Sequence, residues 1–262
     1  MDGKGVAMEQ AGRLDRGDGT ELAWRRLAGR SPAVVFLPGF ASDMAGTKAG
    51  LLAGFCAGHG QAMLRFDYSG HGESGGAFTD GTIGRWTEDA LAVIDRESTG
   101  DLLLVGSSMG GWIALLAALR RPERVKGLLG VAAAPDFTEA LMWDAMPPGQ
   151  RSALMRDGRI AVPSEYGEPT VITRALIEDG RAHLLMGAPI PLACPVRLLH
   201  GQRDADVPWE TSLRLARALA SADVQVVLVK DGDHRLSRPA DLGLLTRTLA
   251  ALLATLGGED GA

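Results

Sequence analysis

Cysteine is scarce in this sequence: only Cys56 and Cys194 occur among its 262 residues. Two cysteines are too few for the disulfide framework that stabilises small secreted proteins, so we expect the chain to fold in a reducing compartment. Neither thiol belongs to a Cys-x-x-Cys pair or to a cluster of cysteine and histidine, and the sequence therefore predicts no metal site. Both are expected to be buried thiols without chemistry.

The sequence also lacks any long cluster of basic residues. Its net charge is -5, and Lys and Arg are scattered apart from a pair or two such as Arg120 and Arg121. Nucleic-acid binding requires a basic patch, so no nucleic-acid partner is expected. No segment has the ~18 consecutive apolar residues of a transmembrane helix, and residues 1–19 lack the apolar core of a signal peptide. We therefore expect a cytoplasmic protein with no transmembrane segment, and the abundance of Ala, Gly and Arg favours a bacterial source.

Short apolar segments alternate with helical patterns along most of the chain. Several apolar segments are continuous, as expected of strands covered on both faces. This order predicts an α/β fold in one domain over residues 1–262, with a mostly parallel central sheet and helices on both faces. Residues 1–19 are polar and glycine-rich, and we expect a loose leader there. The predicted strands are 21–26, 33–37, 62–66, 102–105, 125–131, 196–199 and 224–229, and the predicted helices are 46–59, 86–95, 109–119, 210–220 and 240–256.

The alternation fails between residues 136 and 191. The pieces AMPPGQRSALMRDG and VPSEYGEPTVITRALIEDG resemble broken helices. An insert of this length between two strands predicts a short helical cap on the same domain. Its apolar side chains include Leu141, Trp143 and Met146, which suit an acyl chain if they line a pocket, and Trp143 is the favoured lining residue because aromatic side chains are enriched in ligand sites. Packing of the cap onto the sheet explains them equally well, and the sequence leaves both interpretations open.

The strongest local signal is Gly106-Ser107-Ser108-Met109-Gly110. The pattern G-x-S-x-G forms a nucleophile elbow when a strand enters it and a helix leaves it. The serine then lies on a strained turn where the strand and the helix nearly touch, and glycine is required because larger side chains would collide. An apolar segment precedes Ser108 and a good helical pattern follows it, so Ser108 is the predicted nucleophile.

The same pattern is weak evidence by itself in a chain with 35 glycines, and it occurs a second time around Ser74. That match, Gly72-Glu73-Ser74-Gly75-Gly76, lies between YSGHG and AFTDG, which are typical of loops. Because no strand or helix flanks it, Ser74 is predicted to be a loop residue.

A serine hydroxyl needs a base to take its proton, and the sequence offers five histidines. In the fold that carries such an elbow, the nucleophile is followed along the chain by the acid and then by the histidine. Only His234, after the last predicted strand, follows every plausible acid, so it is the predicted base. His200 ends a predicted strand and is expected to be buried or to lie beside the site.

Asp204 is the predicted acid, because its loop directly follows the apolar strand 196–199 at the carboxyl edge of the sheet. The acid must hold the imidazole in one tautomer and stabilise its charged form. Asp206 is the nearest rival and is expected to shape the loop, while Asp136 is a more distant one. Asp233, beside the histidine, is expected to lie in a surface turn.

The anion formed on attack needs two hydrogen-bond donors already in place. One predicted donor is the backbone N–H of Met109, at the start of the helix after the nucleophile. The other is the N–H of Phe40, in the loop Pro38-Gly39-Phe40-Ala41, where glycine lets the backbone approach the substrate. The alternative for this loop is an ordinary turn between a strand and a helix.

Together these residues resemble one branch of the α/β-hydrolase superfamily. The resemblance covers residues 33–255 and is carried by VVFLPGF, DMAGTKA, RFDYSGHGESGG, LVGSSMGGW, CPVRLLHGQRDADVPW and DHR. That branch contains mitochondrial acyl-protein thioesterases that also hydrolyse acyl glucuronides. The resemblance implies the triad Ser108, Asp204 and His234, with Phe40 and Met109 as oxyanion donors. The cap matches less well, apart from PSEYGE, and the sequence shows no mitochondrial presequence, so we expect a bacterial or processed relative.

The sequence therefore predicts a serine hydrolase that cleaves acyl esters or thioesters through an acyl-enzyme intermediate, without a cofactor. Its expected partner is an acylated or small-molecule substrate. A carbon–carbon bond hydrolase or a peptidase on the same fold is the alternative, because fold does not fix chemistry. A non-catalytic binding relative is disfavoured by the complete triad. The acyl length, the leaving group and the oligomeric state stay open.

Overall fold

The fold is built on a twisted sheet with helices on both faces. The structure, a computed structural model, describes residues 8–164 and 167–257. The strands are β1 (Gln10–Asp15), β2 (Glu21–Leu27), β3 (Arg30–Leu37), β4 (Gln61–Phe66), β5 (Leu102–Ser107), β6 (Val125–Val131), β7 (Arg159–Ser164), β8 (Gly167–Thr173), β9 (Val196–Gly201) and β10 (Val224–Val229). The helices are α1 (Thr47–His59), α2 (Ile83–Glu97), α3 (Met109–Arg120), α4 (Pro148–Asp157), α5 (Arg174–Arg181), α6 (Glu210–Ala218) and α7 (Pro239–Gly257). A short 3₁₀ turn covers Phe78–Asp80 and a π-helical turn covers Thr138–Trp143.

The strands of the main sheet lie in the order β1-β2-β4-β3-β5-β6-β9-β10, and β7 and β8 form a separate hairpin. The pairs β1–β2 and β2–β4 are antiparallel, and all other neighbours in the main sheet are parallel. The predicted α/β architecture with a mostly parallel sheet is therefore confirmed. Because the parallel strands end at one edge, the loops after β3, β5, β6, β9 and β10 lie close together.

Alternate side chains of the central strands enter two apolar layers, one on each face of the sheet. On β3, Val35 and Leu37 pack in the layer that includes α2 and α3, whereas Val34 and Phe36 pack in the layer that includes α1 and α7. All four side chains are buried. Burial on both faces explains the continuous apolar runs of the sequence. The same packing fixes the positions of the strand ends, from which the loops begin.

Both cysteines are free thiols, with Cys56 buried and Cys194 half-buried. Burial raises the pKa of the Cys56 thiol to about 12 and also raises the pKa of Cys194. Neither is therefore a reactive thiolate at neutral pH. The prediction of a buried thiol is confirmed for Cys56, while Cys194 is less buried than expected.

The N-terminal segment differs from the predicted loose leader, because residues 10–15 form β1 at the edge of the sheet. Gly12 lies opposite Trp24, and a Cβ at Gly12 would lie 2.3 Å from the indole ring. The glycine that indicated a loose segment thus leaves room for an aromatic side chain of the neighbouring strand. Residues 1–7 of the predicted leader lie outside the described residues.

The segment between β6 and β9 differs from the purely helical cap that the sequence predicted. Its first half contains the π-helical turn and α4, but the β7–β8 hairpin precedes α5. Gly158 ends α4 in a left-handed conformation with φ 78°, and the β-branched run Thr170, Val171 and Ile172 favours a strand. Residues 165–166, inside the motif PSEYGE, lie outside the described residues.

Helix α7 is long and apolar enough, by length and composition alone, to cross a membrane. In this structure its side chains Leu245, Leu249 and Leu252 are buried in the layer that includes α1. Only 22% of its most apolar window is buried. The absence of a transmembrane segment stays a prediction.

Candidate active site

Ser108 lies on a sharp turn between the end of β5 and the start of α3, with φ 53° and ψ -119°. A Cβ at Gly106 would lie 2.3 Å from the carbonyl oxygen of Gly110, and a Cβ at Gly110 would lie 2.0 Å from the carbonyl oxygen of Leu37. Only glycine fits these two positions, since real Cβ atoms do not approach so closely. The strand-to-helix elbow therefore has the steric form that the motif predicts.

The structure brings the three predicted triad residues together from distant parts of the chain. His234, in the loop between β10 and α7, has its Nε2 atom 3.1 Å from Ser108 Oγ. Its Nδ1 atom lies 2.8 Å from Oδ2 of Asp204, in the loop between β9 and α6. Because Asp204 accepts at Nδ1, the proton of a neutral imidazole lies there and Nε2 is free to accept from the serine hydroxyl.

Asp204 is held as a carboxylate by its surroundings. Its side chain is fully buried, and burial alone would raise its pKa, but hydrogen bonds from His200 and His234 outweigh this and hold the pKa of Asp204 well below its usual range. The other carboxylate oxygen, Oδ1, accepts the backbone N–H groups of Asp206 at 2.9 Å and Val207 at 2.8 Å. A fixed negative charge thus faces the imidazole of His234.

The two predicted oxyanion donors belong to segments that meet at Ser108. Met109 follows it as the first residue of α3, and Gly39, next to Phe40, would place a Cβ 3.4 Å from the Ser108 Cβ. Within the described residues, neither the Phe40 nor the Met109 backbone N–H donates to a protein acceptor outside the regular helices and strands. Both N–H groups are therefore available for a substrate oxygen, as an oxyanion hole requires.

Known hydrolases are similar in sequence to this chain. A family model described as serine aminopeptidase, S33, matches residues 30–176. The mitochondrial palmitoyl-protein thioesterase ABHD10 of Homo sapiens is 42% identical over 245 residues, which cover 93% of this chain and 80% of that protein. The protein of the same name from Pongo abelii is 43% identical over equal shares of the two chains. The chain belongs to the α/β-hydrolase family.

Solved structures of this hydrolase family share the fold over nearly the whole chain. Mouse α/β hydrolase domain-containing protein 10 has a TM-score of 0.88 and 40% identity, and the match covers 94% of this chain and 99% of that one. A hydrolase from Agrobacterium vitis S4 has a TM-score of 0.89 and 43% identity, covering 94% of this chain and 98% of that one. The predicted α/β-hydrolase fold and the family resemblance are confirmed, and the chain is a serine hydrolase.

Sequence reasoning gave no role to His71, which lies beside the loop of Phe40 and Ala41 in this hydrolase. Its Nε2 atom accepts the backbone N–H of Ala41 at 3.3 Å, and its Nδ1 atom faces the carbonyl oxygen of Ser69 at 3.2 Å. One ring nitrogen accepts and the other faces an acceptor, so the ring is neutral with its proton on Nδ1. The ring is buried against Trp86, and burial lowers the pKa of His71. The available signal was its position in YSGHG, directly after a strand that ends at the carboxyl edge.

Two other charged residues connect the loops of the hydrolase site. Asp67 accepts the backbone N–H groups of Met44 at 2.7 Å and Glu73 at 2.8 Å, and thus joins the loop after β3 to the loop after β4. Lys48, on α1, donates from Nζ to the carbonyl oxygen of Arg235, next to His234, at 2.6 Å. Sequence reasoning missed both, because their partners are backbone atoms of distant loops.

The rival residues have partners outside the triad. Ser74 Oγ accepts the N–H of Ala23 at 2.9 Å and donates to the carbonyl oxygen of Asp67 at 2.7 Å. Ser74 is therefore a loop residue, as predicted. Asp233 Oδ1 accepts the N–H of Leu236 at 2.9 Å, within the turn that follows it.

Asp136 lies at the start of the insert and is 8% exposed. Its carboxylate accepts the backbone N–H groups of Leu185 and Met186, each at 2.8 Å. Burial raises the pKa of Asp136 in spite of these two bonds. The residue joins the two ends of the insert through these backbone partners rather than pairing with His234.

The three predicted pocket residues have different surroundings. Met146 is buried in an apolar cluster within the insert, and Trp143 packs against the same cluster. The indole of Trp143 lies between the guanidinium groups of Arg151 at 5.2 Å and Arg181 at 4.7 Å. Leu141, half-buried, instead packs against the larger apolar cluster, which includes Phe137 and Leu176 of the insert as well as side chains of the main sheet. Contacts within the insert thus explain Trp143 and Met146, and the pocket role of all three residues stays a prediction.

Two surface cavities of about 480 and 430 Å³ lie away from the triad. The first lies between α1 and α7, and the second is lined by residues 186–189 and by α6. Among the described residues, one group has metal-binding side chains close enough to share an ion: Asp204, Asp206 and His234, whose ligand atoms lie within 4.8 Å of one another. Nδ1 of His234 already donates its proton to Asp204, so this geometry fits a hydrogen-bonded pair better than a ligand set.

Proposed function

We propose that this hydrolase cleaves thioesters and esters of apolar acyl groups, with Ser108 as nucleophile, His234 as base and Asp204 as supporting acid. The observation that carries the proposal is the hydrogen-bonded series from Ser108 to Asp204 at a strand-to-helix elbow. It occurs in a chain that is 42% identical to a palmitoyl-protein thioesterase. A serine activated in this way attacks acyl carbon atoms.

In the first half of the reaction, Ser108 Oγ attacks the carbonyl carbon and its proton passes to His234 Nε2, 3.1 Å away. Asp204 stabilises the imidazolium that forms, and we assign the N–H groups of Phe40 and Met109 to the oxyanion. Collapse of the tetrahedral intermediate breaks the carbon–sulfur or carbon–oxygen bond. His234 then returns the proton to the leaving thiol or alcohol, and the acyl group stays on Ser108.

Water completes the second half of the reaction. A water molecule attacks the acyl-serine carbonyl and gives one proton to His234, and the same two N–H groups hold the second oxyanion. The carbon–oxygen bond to Ser108 breaks, the serine takes the proton back from His234, and a carboxylic acid leaves. The reaction consumes only water, so it balances without a cofactor.

We assign residues 136–191 to a cap that selects the acyl group. The ring contact between Phe137, near the start of this segment, and Phe40, at 5.8 Å between centroids, supports this assignment. Leu141 is the best of the three pocket candidates, because it packs against the cluster that contains Met109, next to Ser108, while Trp143 and Met146 pack within the cap. An acylated protein or a small acyl compound is the partner that this arrangement predicts.

A chain-length series tests the substrate class. We would measure kcat/KM for acyl groups from acetyl to palmitoyl, each as an oxygen ester and as a thioester. Each buried methylene contributes ~0.8 kcal/mol, so specificity should rise about fourfold per carbon until the pocket is full. A series that is flat or falls beyond acetyl would reject the apolar acyl substrate.

Two variants separate the pocket from packing in the cap. Leu141→Ala should lower kcat/KM for long acyl groups more than for acetyl, because it removes part of the acyl contact. Trp143→Ala is the matched control: it should lower stability and change all chain lengths alike. A selective loss in Trp143→Ala and not in Leu141→Ala would reverse this assignment.

A peptidase is the second candidate, because the family model that matches residues 30–176 is described as serine aminopeptidase. The same triad cleaves amides when His234 protonates the leaving amine. Aminoacyl p-nitroanilides assayed beside the acyl esters decide between the two. A higher kcat/KM on the anilides would favour the peptidase and reject the thioesterase.

The location of the protein stays a prediction. The named relatives are mitochondrial, whereas the sequence predicts a cytoplasmic protein. Fractionation of the source cells with an antibody to the chain would locate it directly.

A further inference from the structure

His200 and Asp204 form a second imidazole–carboxylate pair next to the triad. His200 Nε2 lies 3.1 Å from Oδ2 of Asp204, the same oxygen atom that receives His234 Nδ1 at 2.8 Å. Neither the His200 nor the Asp204 side chain is exposed to solvent. Two imidazole rings therefore share one carboxylate oxygen in a buried environment, and the mechanism above uses only one of them.

The position of the proton on His200 follows from its neighbours. Nε2 also lies 3.0 Å from the carbonyl oxygen of Val207. Both partners of Nε2 are acceptors, so Nε2 carries the proton and donates to them. Nδ1 lies 2.7 Å from the hydroxyl of Ser212 on α6, which is also fully buried. The hydroxyl donates to Nδ1, so the ring is neutral and hydrogen bonds run from Ser212 through His200 to Asp204.

We propose that His200 is a positioning residue of the triad proposed above: it fixes the Asp204 carboxylate and withdraws part of its negative charge from His234. The two oxygens of Asp204 accept four donors, namely the two histidines and the N–H groups of Asp206 and Val207. With all four in place the carboxylate cannot rotate without breaking a bond. Charge shared with His200 is less available to His234.

Sharing the Asp204 carboxylate between two imidazoles suits the role of His234 as a base. A base must be neutral to take the proton of Ser108, and a buried carboxylate that faced it alone would favour the protonated imidazole. Asp206, whose carboxylate lies within 4.8 Å of the ligand atoms of Asp204 and His234, is a further titratable neighbour. Asp233 and Arg235 flank His234 along the chain, and Lys48 Nζ lies 2.6 Å from the carbonyl oxygen of Arg235. Beside His200, α6 presents the uncharged Ser212, and the paired residue on β10 is Leu228.

A purely structural role predicts a different result. His200 also joins the end of β9 to α6 through Ser212, and losing that contact alone would lower stability. It would leave the protonation of His234 unchanged. The pH at which His234 titrates therefore separates the two roles.

The test compares the wild type with His200→Leu and His200→Gln. Leucine removes both hydrogen bonds, whereas the glutamine amide places an N–H donor near the position of Nε2. We expect the acid limb of the kcat/KM profile to move upward by roughly half to one pH unit in His200→Leu, the size expected for one lost hydrogen bond. The limb should stay within a few tenths of a unit of the wild type in His200→Gln.

An acid limb that is unmoved or moves downward in His200→Leu would overturn the proposal. The same shift should occur in the NMR titration of the His234 imidazole, which does not depend on hydrolysis. Failure of the proposed function is recognised separately, as a wild type that neither hydrolyses acyl substrates nor reacts with a fluorophosphonate at Ser108. If His200→Leu does not fold, Ser212→Ala replaces it and should shift the His234 titration upward by a smaller amount, and no shift would overturn the proposal.

Discussion

His71 accepts a hydrogen bond from the backbone N–H of Ala41 across 3.3 Å, so a buried imidazole fixes the residue that follows Phe40. Ala41 has φ 53°, in the left-handed region where alanine is strained. The strain is opposed by this bond and by the packing of the Phe40 ring against Phe78 at 5.0 Å and Trp86 at 5.8 Å. The direction of the Phe40 N–H therefore depends on a side chain from another loop.

Replacing His71 should reduce catalysis without touching the triad. His71→Phe keeps an aromatic ring but removes the acceptor for Ala41, and we expect kcat to fall about fivefold, as for the loss of one hydrogen bond of ~1 kcal/mol. His71→Gln offers a carbonyl oxygen near the position of Nε2 and should recover most of that loss. Steady-state kinetics on one ester substrate measures both, and equal losses in the two variants would contradict the role of the acceptor.

His71 should also make stability depend on pH. Burial lowers its pKa in the folded protein, while the unfolded chain titrates near ~6.5. Its contribution is fully present above about pH 6.5 and is lost as the pH falls further toward the lowered folded value, because the unfolded state then binds the proton more readily. Urea unfolding between pH 8 and pH 5 should show this loss in the wild type and a smaller one in His71→Phe. Equal pH slopes in the two proteins would contradict it.

Ser108→Ala should abolish hydrolysis, by at least about a thousandfold, without unfolding the protein. Ser74→Ala is the matched control from the second G-x-S-x-G pattern. It should keep most activity but lose about 1–2 kcal/mol of stability, because the Ala23 N–H and the Asp67 carbonyl lose their partner. Kinetics and thermal unfolding of both variants measure this, and reversed phenotypes would show that the site is elsewhere.

Asp204→Asn should cost far more activity than Asp206→Asn. The amide cannot stabilise the imidazolium and favours the wrong tautomer of His234, a change that typically costs ~10⁴ in kcat. Asp206 contacts Asp204 through its backbone N–H, which the substitution keeps. A larger loss of kcat/KM in Asp206→Asn would identify Asp206 as the acid.

Gly110→Ala should destabilise the elbow, because a Cβ there would lie 2.0 Å from the Leu37 carbonyl oxygen. We expect a loss of about 2–4 kcal/mol in the free energy of unfolding. Gly54→Ala is the matched control on α1, where a Cβ meets nothing within 4 Å. It should gain about 0.5–1 kcal/mol from helix propensity. Similar melting temperatures in the two variants would contradict the steric account.

The sheet and the triad positions could be predicted because local patterns determine them. The apolar runs of β3 and β5 reflect burial on both faces, and the glycines around Ser108 reflect a collision that depends on nearby residues. The order of acid and histidine along the chain then left few choices. Asp204 and His234 lie in loops directly after predicted strands, so the parallel sheet brings them to one edge.

The parts that could not be predicted depend on contacts between distant segments. Residues 10–15, within a polar segment, become a strand because β2 offers an unpaired edge and Trp24 fits over Gly12. The β7–β8 hairpin lies in a segment whose apolar spacing also suits a helix. His71 and His200 act on backbone or carboxylate atoms, and no sequence pattern indicates such partners.

Asp136 joins the two ends of the insert. Because its carboxylate binds the N–H groups of Leu185 and Met186, the insert begins and ends at nearly the same place, and Asp179 and His183 bind it to α2 and α3 in between. A loop that begins and ends at one point can change in length without moving the strands on either side. With the cap and the triad proposed above, substrate range and catalytic machinery would evolve separately in this scaffold, because a foreign cap joined at this carboxylate would leave Ser108, Asp204 and His234 in place.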